Sequence, residues 1–138
     1  MDQKLQLLRQ VPLFAGLGGR EIQEIGRLVD EIDLPAGKEL TREGRTAEEF
    51  FVILDGSVRI DRGGAQIRKL GTGDFLGEIA LVDGGPRTAT ATAETPVRVL
   101  VIAHREFHSL MDRFPSIQAS VLRALAERVR QMEPDACI

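Results

Sequence analysis

A single cysteine, Cys137, stands next to the end of the 138-residue chain, so no internal disulfide can form and no thiolate cluster can hold a metal. That scarcity suits a reducing, cytoplasmic setting. Histidine is almost as rare. His104 and His108 lie four apart on an expected helix, a spacing that metals use, but no Glu-bearing zinc motif surrounds them and no third ligand is evident. Capping or surface roles are the simpler assignment. No apolar run approaches the roughly 20 residues of a membrane span, and the N-terminus lacks the charged-then-apolar pattern of a signal peptide. A basic excess is missing too: 18 Lys and Arg against 21 Asp and Glu leave a formal charge of -3. Duplex binding normally needs a basic face, so the balance argues against a free-standing nucleic-acid binder.

What is present suffices for one domain, with 43% hydrophobic residues in a chain too short for a second sizeable core. Leu5, Leu8, Val11 and Phe14 recur at near-helical spacing until Pro12 and the glycines at 16, 18 and 19 interrupt them. Glu21 to Val29 resumes the helical period through Ile22, Ile25 and Leu28. From Ile32 the period shortens. Leu34 to Gly37, Phe50 to Leu54, Val58 to Ile60 and Ile67 to Leu70 read as short strands. Asp55-Gly56 and Gly63-Gly64 supply the positive φ that turns between them require. Thr88 to Ala93 and Val97 to Ile102 add two more strands. Helix then returns around Glu106 to Arg113 and from Ser116 to about Met132, where Ile117, Val121, Leu122, Leu125, Ala126 and Val129 share a face. Pro134 to Ile138 reads as a frayed tail. The expected fold is therefore α+β: N-terminal helices over 1–30, an antiparallel β-roll of jelly-roll type over 31–103, and C-terminal helices over 104–133.

The chemistry concentrates between the two strand sets, from Gly73 to Thr90. Glu78 to Val82 are good helix formers preceded by Gly77, which can expose the free N–H groups of a helix start with no side chain in the way. Such a start seats anions. Arg87 follows Gly84-Gly85-Pro86, a rigid return that folds a guanidinium back toward that anion seat. Glu78 beside a phosphate fits if it accepts a hydrogen bond from a sugar hydroxyl of the same ligand. Arginine for phosphate with glutamate for ribose implies a nucleotide.

Gly77-Glu78-Ile79-Ala80-Leu81 through Pro86-Arg87-Thr88-Ala89 resembles the phosphate-binding cassette, here spanning 75–90, of the cyclic-nucleotide-binding domains of catabolite activators, kinase regulatory subunits and nucleotide-gated channels. Val11 to Leu17 resembles the family's entry segment and Phe51 to Val58 its central hairpin, so the likeness covers nearly the whole chain. It implies a ligand site of Gly77, Glu78, Ile79, Ala80, Arg87, Thr88 and Ala89. Glu78 would accept the ribose 2′-hydroxyl, and Arg87 would pair with the cyclic phosphate. Gly77, Ala80 and Ala89 would offer backbone donors, and Thr88 a hydroxyl. Cyclic AMP is expected ahead of cyclic GMP, although the cassette alone does not choose, because in the family a Thr at the position of Thr88 can also hold a guanine in its syn form. The C-terminal helix would cover the base, through Val121, Leu122, Leu125 or Arg128.

Plainer readings stay open beside these. Arg87 could be an ion-pair partner, Glu78 itself included; Thr88 could be a strand residue only; and the last helix's stripe could be core or a homodimer seam. A cupin-like metal enzyme would place histidines on strands, which both histidines here avoid. A degenerate, non-binding member serving as a dimerisation or protein-interaction module is the remaining alternative. No nucleophile–base pair or metal cluster suggests turnover. The expectation is a regulatory sensor, not an enzyme, with no cofactor beyond its ligand and no membrane or nucleic-acid contact of its own. Transcriptional members carry a DNA-binding unit after the long helix, so DNA binding by these residues is not expected; an output could lie in a further domain, in a partner protein, or be absent.

Overall fold

The computed structural model describes residues 3–11, 14–45, 49–77 and 86–132, the side chains of Arg128 and of 131–132 excepted. Two helices open the chain, α1 (Gln3–Gln10) and α2 (Gly19–Leu28). Among the described residues eight strands follow: β1 (Asp30–Leu34), β2 (Glu39–Thr41), β3 (Glu49–Asp55), β4 (Val58–Arg62), β5 (Ala65–Leu70), β6 (Phe75–Leu76), β7 (Thr90–Ala93) and β8 (Val97–Ala103). Helices α3 (His104–Arg113) and α4 (Pro115–Met132) close it. The strands form two four-stranded antiparallel sheets, ordered β1-β8-β3-β6 and β2-β7-β4-β5. This is the α+β roll expected from the sequence.

The two sheets face each other across one core while the helices cover the first sheet from outside, and strand periodicity explains how. Successive side chains of a strand point to opposite faces. In β3, Phe51 and Ile53 join Val58, Ile60, Leu70, Ala91 and Ala93 between the sheets. The alternate residues Phe50, Val52 and Leu54 join Leu8, Phe14, Ile25, Phe107 and Ile117 under the helices. Partner β8 divides likewise, Val99 and Val101 inward, Leu100 and Ile102 toward the helices. A strand buried on both faces has no polar alternation to display, which is why both read as continuous apolar runs. Phe14 anchors the helical side, its ring 6.1 Å from Phe50 and 5.8 Å from Phe107 between centroids.

Several sequence expectations are corrected. Leu34 ends β1; Pro35 to Gly37 is a turn, with Gly37 at φ +89 and its N–H on the Ala93 carbonyl at 2.7 Å. Strands β2 and β6, three and two residues long, are too short to leave a periodic signature. Thr88 and Ala89 lie ahead of β7 rather than in it, and β1 begins at Asp30, inside the span assigned to N-terminal helices. Helix α3 starts at His104, two residues before Glu106. The stripe of α4 is not one buried face: Ile117 and Val121 are buried, whereas Leu122 is 67% and Val129 55% exposed. Pro12 and the expected helix from Glu78 to Val82 lie outside the described residues.

The turn glycines separate two demands. Gly56 at φ +109 would place a Cβ 2.7 Å from the Pro96 carbonyl oxygen and 2.6 Å from Val97 Cγ1, whereas at Gly37, φ +89, a Cβ meets nothing within 4 Å. Gly37→Ala is therefore expected to cost only left-handed strain, about 1–2 kcal/mol, and Gly56→Ala clearly more. Denaturant midpoints of the two variants check this, and equal losses would show that the close approach at Gly56 is not what its glycine serves.

Candidate functional site

The chain enters the expected cassette from β6 in the first sheet and leaves it toward β7 in the second, beside a pocket of ≈ 140 Å³. Gly77, Arg87, Thr88 and Ala89 line it on one side, and Ile60, Arg62 and Arg68 from the β4–β5 hairpin on the other. Four of the seven residues singled out from the sequence are thus together. Glu78, Ile79 and Ala80 lie outside the described residues.

Arg87 dominates this wall. It is 8% exposed, and its Nη2 donates to the Glu49 carbonyl at 2.6 Å, at the start of β3. Nη1 is buried and has no hydrogen-bond partner among the described residues. The guanidinium carbon lies 5.9 Å from the Phe51 ring centroid, within cation–π range. Burial pushes the Arg87 pKa down from its ordinary value, and the negative charge of Glu49 pulls it partly back up. The group nevertheless stays charged, because arginine is not deprotonated in proteins. A charged, buried donor without a partner is costly unless an anion or water completes it.

Main-chain bonds hold this cation in place. The Arg87 N–H donates to the Arg45 carbonyl at 2.8 Å and the Gly44 N–H to the Arg87 carbonyl at 2.9 Å, so the 42–45 turn straps Arg87 on both sides. Gly77, at φ +89, sits directly against the guanidinium. A Cβ there would strike Nη1 of Arg87 and come within 2.9 Å of the Glu49 carbonyl oxygen. Glycine at this position serves both a left-handed turn and the volume that the arginine occupies.

The residues expected over a base are apart from this pocket. Val121 is buried with the helices, Leu125 is partly buried against the same cluster, and Leu122 is exposed. None of the three lines the pocket, and the Arg128 side chain lies outside the described residues. Thr88 is exposed, and its carbonyl accepts from Arg62 Nε at 2.9 Å; the Ala89 carbonyl accepts from the Thr41 hydroxyl at 3.0 Å.

Sequence reasoning missed Glu49, Arg62 and the 42–45 turn. Glu49 and the turn act on Arg87 through backbone atoms, which leave no residue-type signal. Arg62 had one: it continues the Val58, Ile60 period onto the inward face of β4. Among the described residues no group of three or more His, Cys, Asp or Glu could hold a metal. His104 and His108 lie on α3 with ring centroids 4.2 Å apart, and Cys137 lies outside the described residues.

Residues 31–114 match the family model for the cyclic nucleotide-binding domain. Over 123 residues the chain is 35% identical to a cyclic nucleotide-gated potassium channel of Rhizobium etli, covering 89% of this chain and 34% of that protein. Over 131 residues it is 29% identical to a CRP-like cAMP-activated global transcriptional regulator of Mycobacterium tuberculosis, covering 91% of this chain and 58% of that one. The chain thus spans a third to under three-fifths of these relatives. The N-terminal domain of a transcriptional regulator from Streptomyces coelicolor superposes with a TM-score of 0.83 at 30% identity, covering 96% of each chain. The Thermus thermophilus catabolite activator protein superposes with 0.78 at 28%, covering 91% of this chain and 61% of that one. With the roll, the pocket and the buried arginine in place, the chain belongs to the cyclic nucleotide-binding domain family.

Proposed function

We propose that this domain is a regulatory sensor that binds a cyclic purine nucleotide without turning it over, with cyclic AMP preferred to cyclic GMP. The observation that carries this reading is Arg87: buried, charged, and with one nitrogen unpartnered among the described residues beside an open pocket. A cyclic phosphate is a compact monoanion with two exocyclic oxygens, which a guanidinium meets with paired donors. Gly77 and Ala89 add backbone donors and Thr88 a hydroxyl; Glu78, with Ile79 and Ala80 beside it, takes the ribose. The Mycobacterium relative, named for activation by cAMP, supports the base preference, while Thr88 keeps cyclic GMP a competitor.

In this reading the signal leaves through the C-terminal helices. On α4, Leu122 and Val129 are exposed and Leu125 is half-buried. Their movement over the base, with Val121 and Arg128 alongside, would relay occupancy to an output domain or partner. The same exposed stripe is the favoured seam for a homodimer. No helix among the described residues is long and apolar enough to cross a membrane, and we place the domain on the cytoplasmic side of whatever output it serves.

Calorimetric titration of the nucleotide-stripped chain with cyclic AMP and cyclic GMP tests the reading. Saturable binding is expected, weakened by about a hundredfold or more in Arg87→Ala, since removing one partner of a buried charge pair costs 2–5 kcal/mol or more. No heat with either nucleotide would overturn the sensor reading in favour of a non-binding interaction module.

Gly77→Ala offers a separate check, because the new Cβ displaces the guanidinium without removing it. Affinity should fall, and by less in the Arg87→Ala background than in the wild type, the remainder being the left-handed strain and the Glu49 contact at position 77. Additive losses would place Gly77 outside the arginine's action. For the seam, sedimentation should show a dimer that Leu122→Glu with Val129→Glu converts to monomer; a wild-type monomer at working concentration removes the seam.

A further inference from the structure

The pocket's two walls belong to different parts of the chain, and two hydrogen bonds tie them together at the hairpin tip. In the second sheet β7 lies between β2 and β4, so the residues leaving the cassette at Thr88 to Thr90 run between the 42–45 turn and the β4–β5 hairpin. From the hairpin side, Arg62 Nε donates to the Thr88 carbonyl at 2.9 Å. From the turn side, the Glu43 carboxylate accepts the Gly63 N–H at 2.9 Å, spanning β7 to reach the tip. Glu43 is itself anchored beneath that span, its own N–H on the Thr90 hydroxyl at 3.0 Å.

We propose that Glu43 and Arg62 are positioning residues for the nucleotide site, a double tether that fixes the hairpin tip against the strap around Arg87. This inference rests on the sensor reading above. Neither residue needs to touch the ligand. Glu43 occupies the same turn whose Gly44 and Arg45 backbone groups bracket Arg87. Pulling Glu43 toward Gly63 therefore sets where that strap sits, and Arg62 sets where Thr88 sits. The tip needs such a tie, because Gly63 and Gly64 at φ +60 and +82 form its turn and give the backbone little stiffness of its own. Gly63 offers the N–H and Glu43 only has to accept it, so the chemistry required at position 43 is an acceptor oxygen at the end of a two-methylene arm, not a negative charge.

That requirement makes the test sharp. In calorimetry with the preferred cyclic nucleotide, Glu43→Ala should bind about three- to tenfold more weakly, the share expected of one hydrogen bond. Glu43→Gln, which keeps the acceptor and drops the charge, should restore wild-type affinity. Arg62→Ala should lose a similar factor, and amide exchange at residues 62–64 should quicken in both alanine variants. Equal losses in Glu43→Ala and Glu43→Gln would overturn the proposal in favour of a charge effect. Unchanged affinity and exchange in the alanine variants would overturn it outright. Arg87→Ala run alongside separates the two levels: if the wild type does not bind, the sensor reading fails, whereas if only Arg87→Ala matters, the tether alone fails.

Discussion

A guanidinium buried to 8% exposure, with one nitrogen lacking a partner among the described residues, is the constraint around which this end of the roll is arranged. A cation in such a place is tolerable only where the surroundings fix it and leave an opening for something negative. The described neighbours of Arg87 answer these needs. The Glu49 carbonyl takes one nitrogen, the Phe51 ring covers the carbon, and the 42–45 turn consumes its backbone N–H and carbonyl. Gly77 gives up its side chain so that the guanidinium has room. The pocket supplies the opening.

The arginine can be held so firmly because its supports are the best-buried strands of the domain. Glu49 and Phe51 belong to β3, which pairs with β8 along most of its length and carries one core on each face. Displacing the Glu49 carbonyl means disturbing Phe50 and Phe51, 0% and 5% exposed on the two sides. Sites placed on rigid, doubly buried elements keep their geometry when empty, which lowers the ordering cost of taking up a ligand.

The fold was legible wherever burial imposes a period. Long, two-sided strands such as β3 and β8, and the helices α2 and α4, announce themselves through apolar spacing. Two- and three-residue strands such as β6 and β2 do not, because pairing in the tertiary structure, not local pattern, makes them strands. The site divides on the same principle. Gly77 and Arg87 stood out in the sequence because the proposed chemistry asks for a guanidinium at one position and no side chain at the other. The partners of Arg87 did not, since Glu49, Gly44 and Arg45 contribute carbonyl or N–H groups that any residue could offer. The stripe of α4 shows a further limit of such patterns. Periodicity reports which residues share a face, but not whether a neighbour covers it: Ile117 and Val121 are buried and Leu125 is half-buried, whereas Leu122 and Val129 are exposed.

That half-covered helix limits how a response can travel. Near its start α4 is fixed: Ile117 and Val121 are in the core, and the Ser120 hydroxyl donates to the Ala15 carbonyl at 2.9 Å. Beyond Val121 the exposed Leu122 and Val129 make apolar surface available to a new contact, at roughly 25 cal/mol per Å² buried. A ligand shifts a conformational equilibrium only by the difference in its contacts with the two states. In the proposed sensor, Arg87 and its supports would contact the phosphate in the same way whatever α4 does, so they would contribute affinity and little bias. Any bias carried by α4 must therefore come from the apolar surface beyond Val121, either over the ligand or against a partner. Those two uses compete for the same side chains, and in the proposed sensor that competition is how a rigid grip on the phosphate would govern an output.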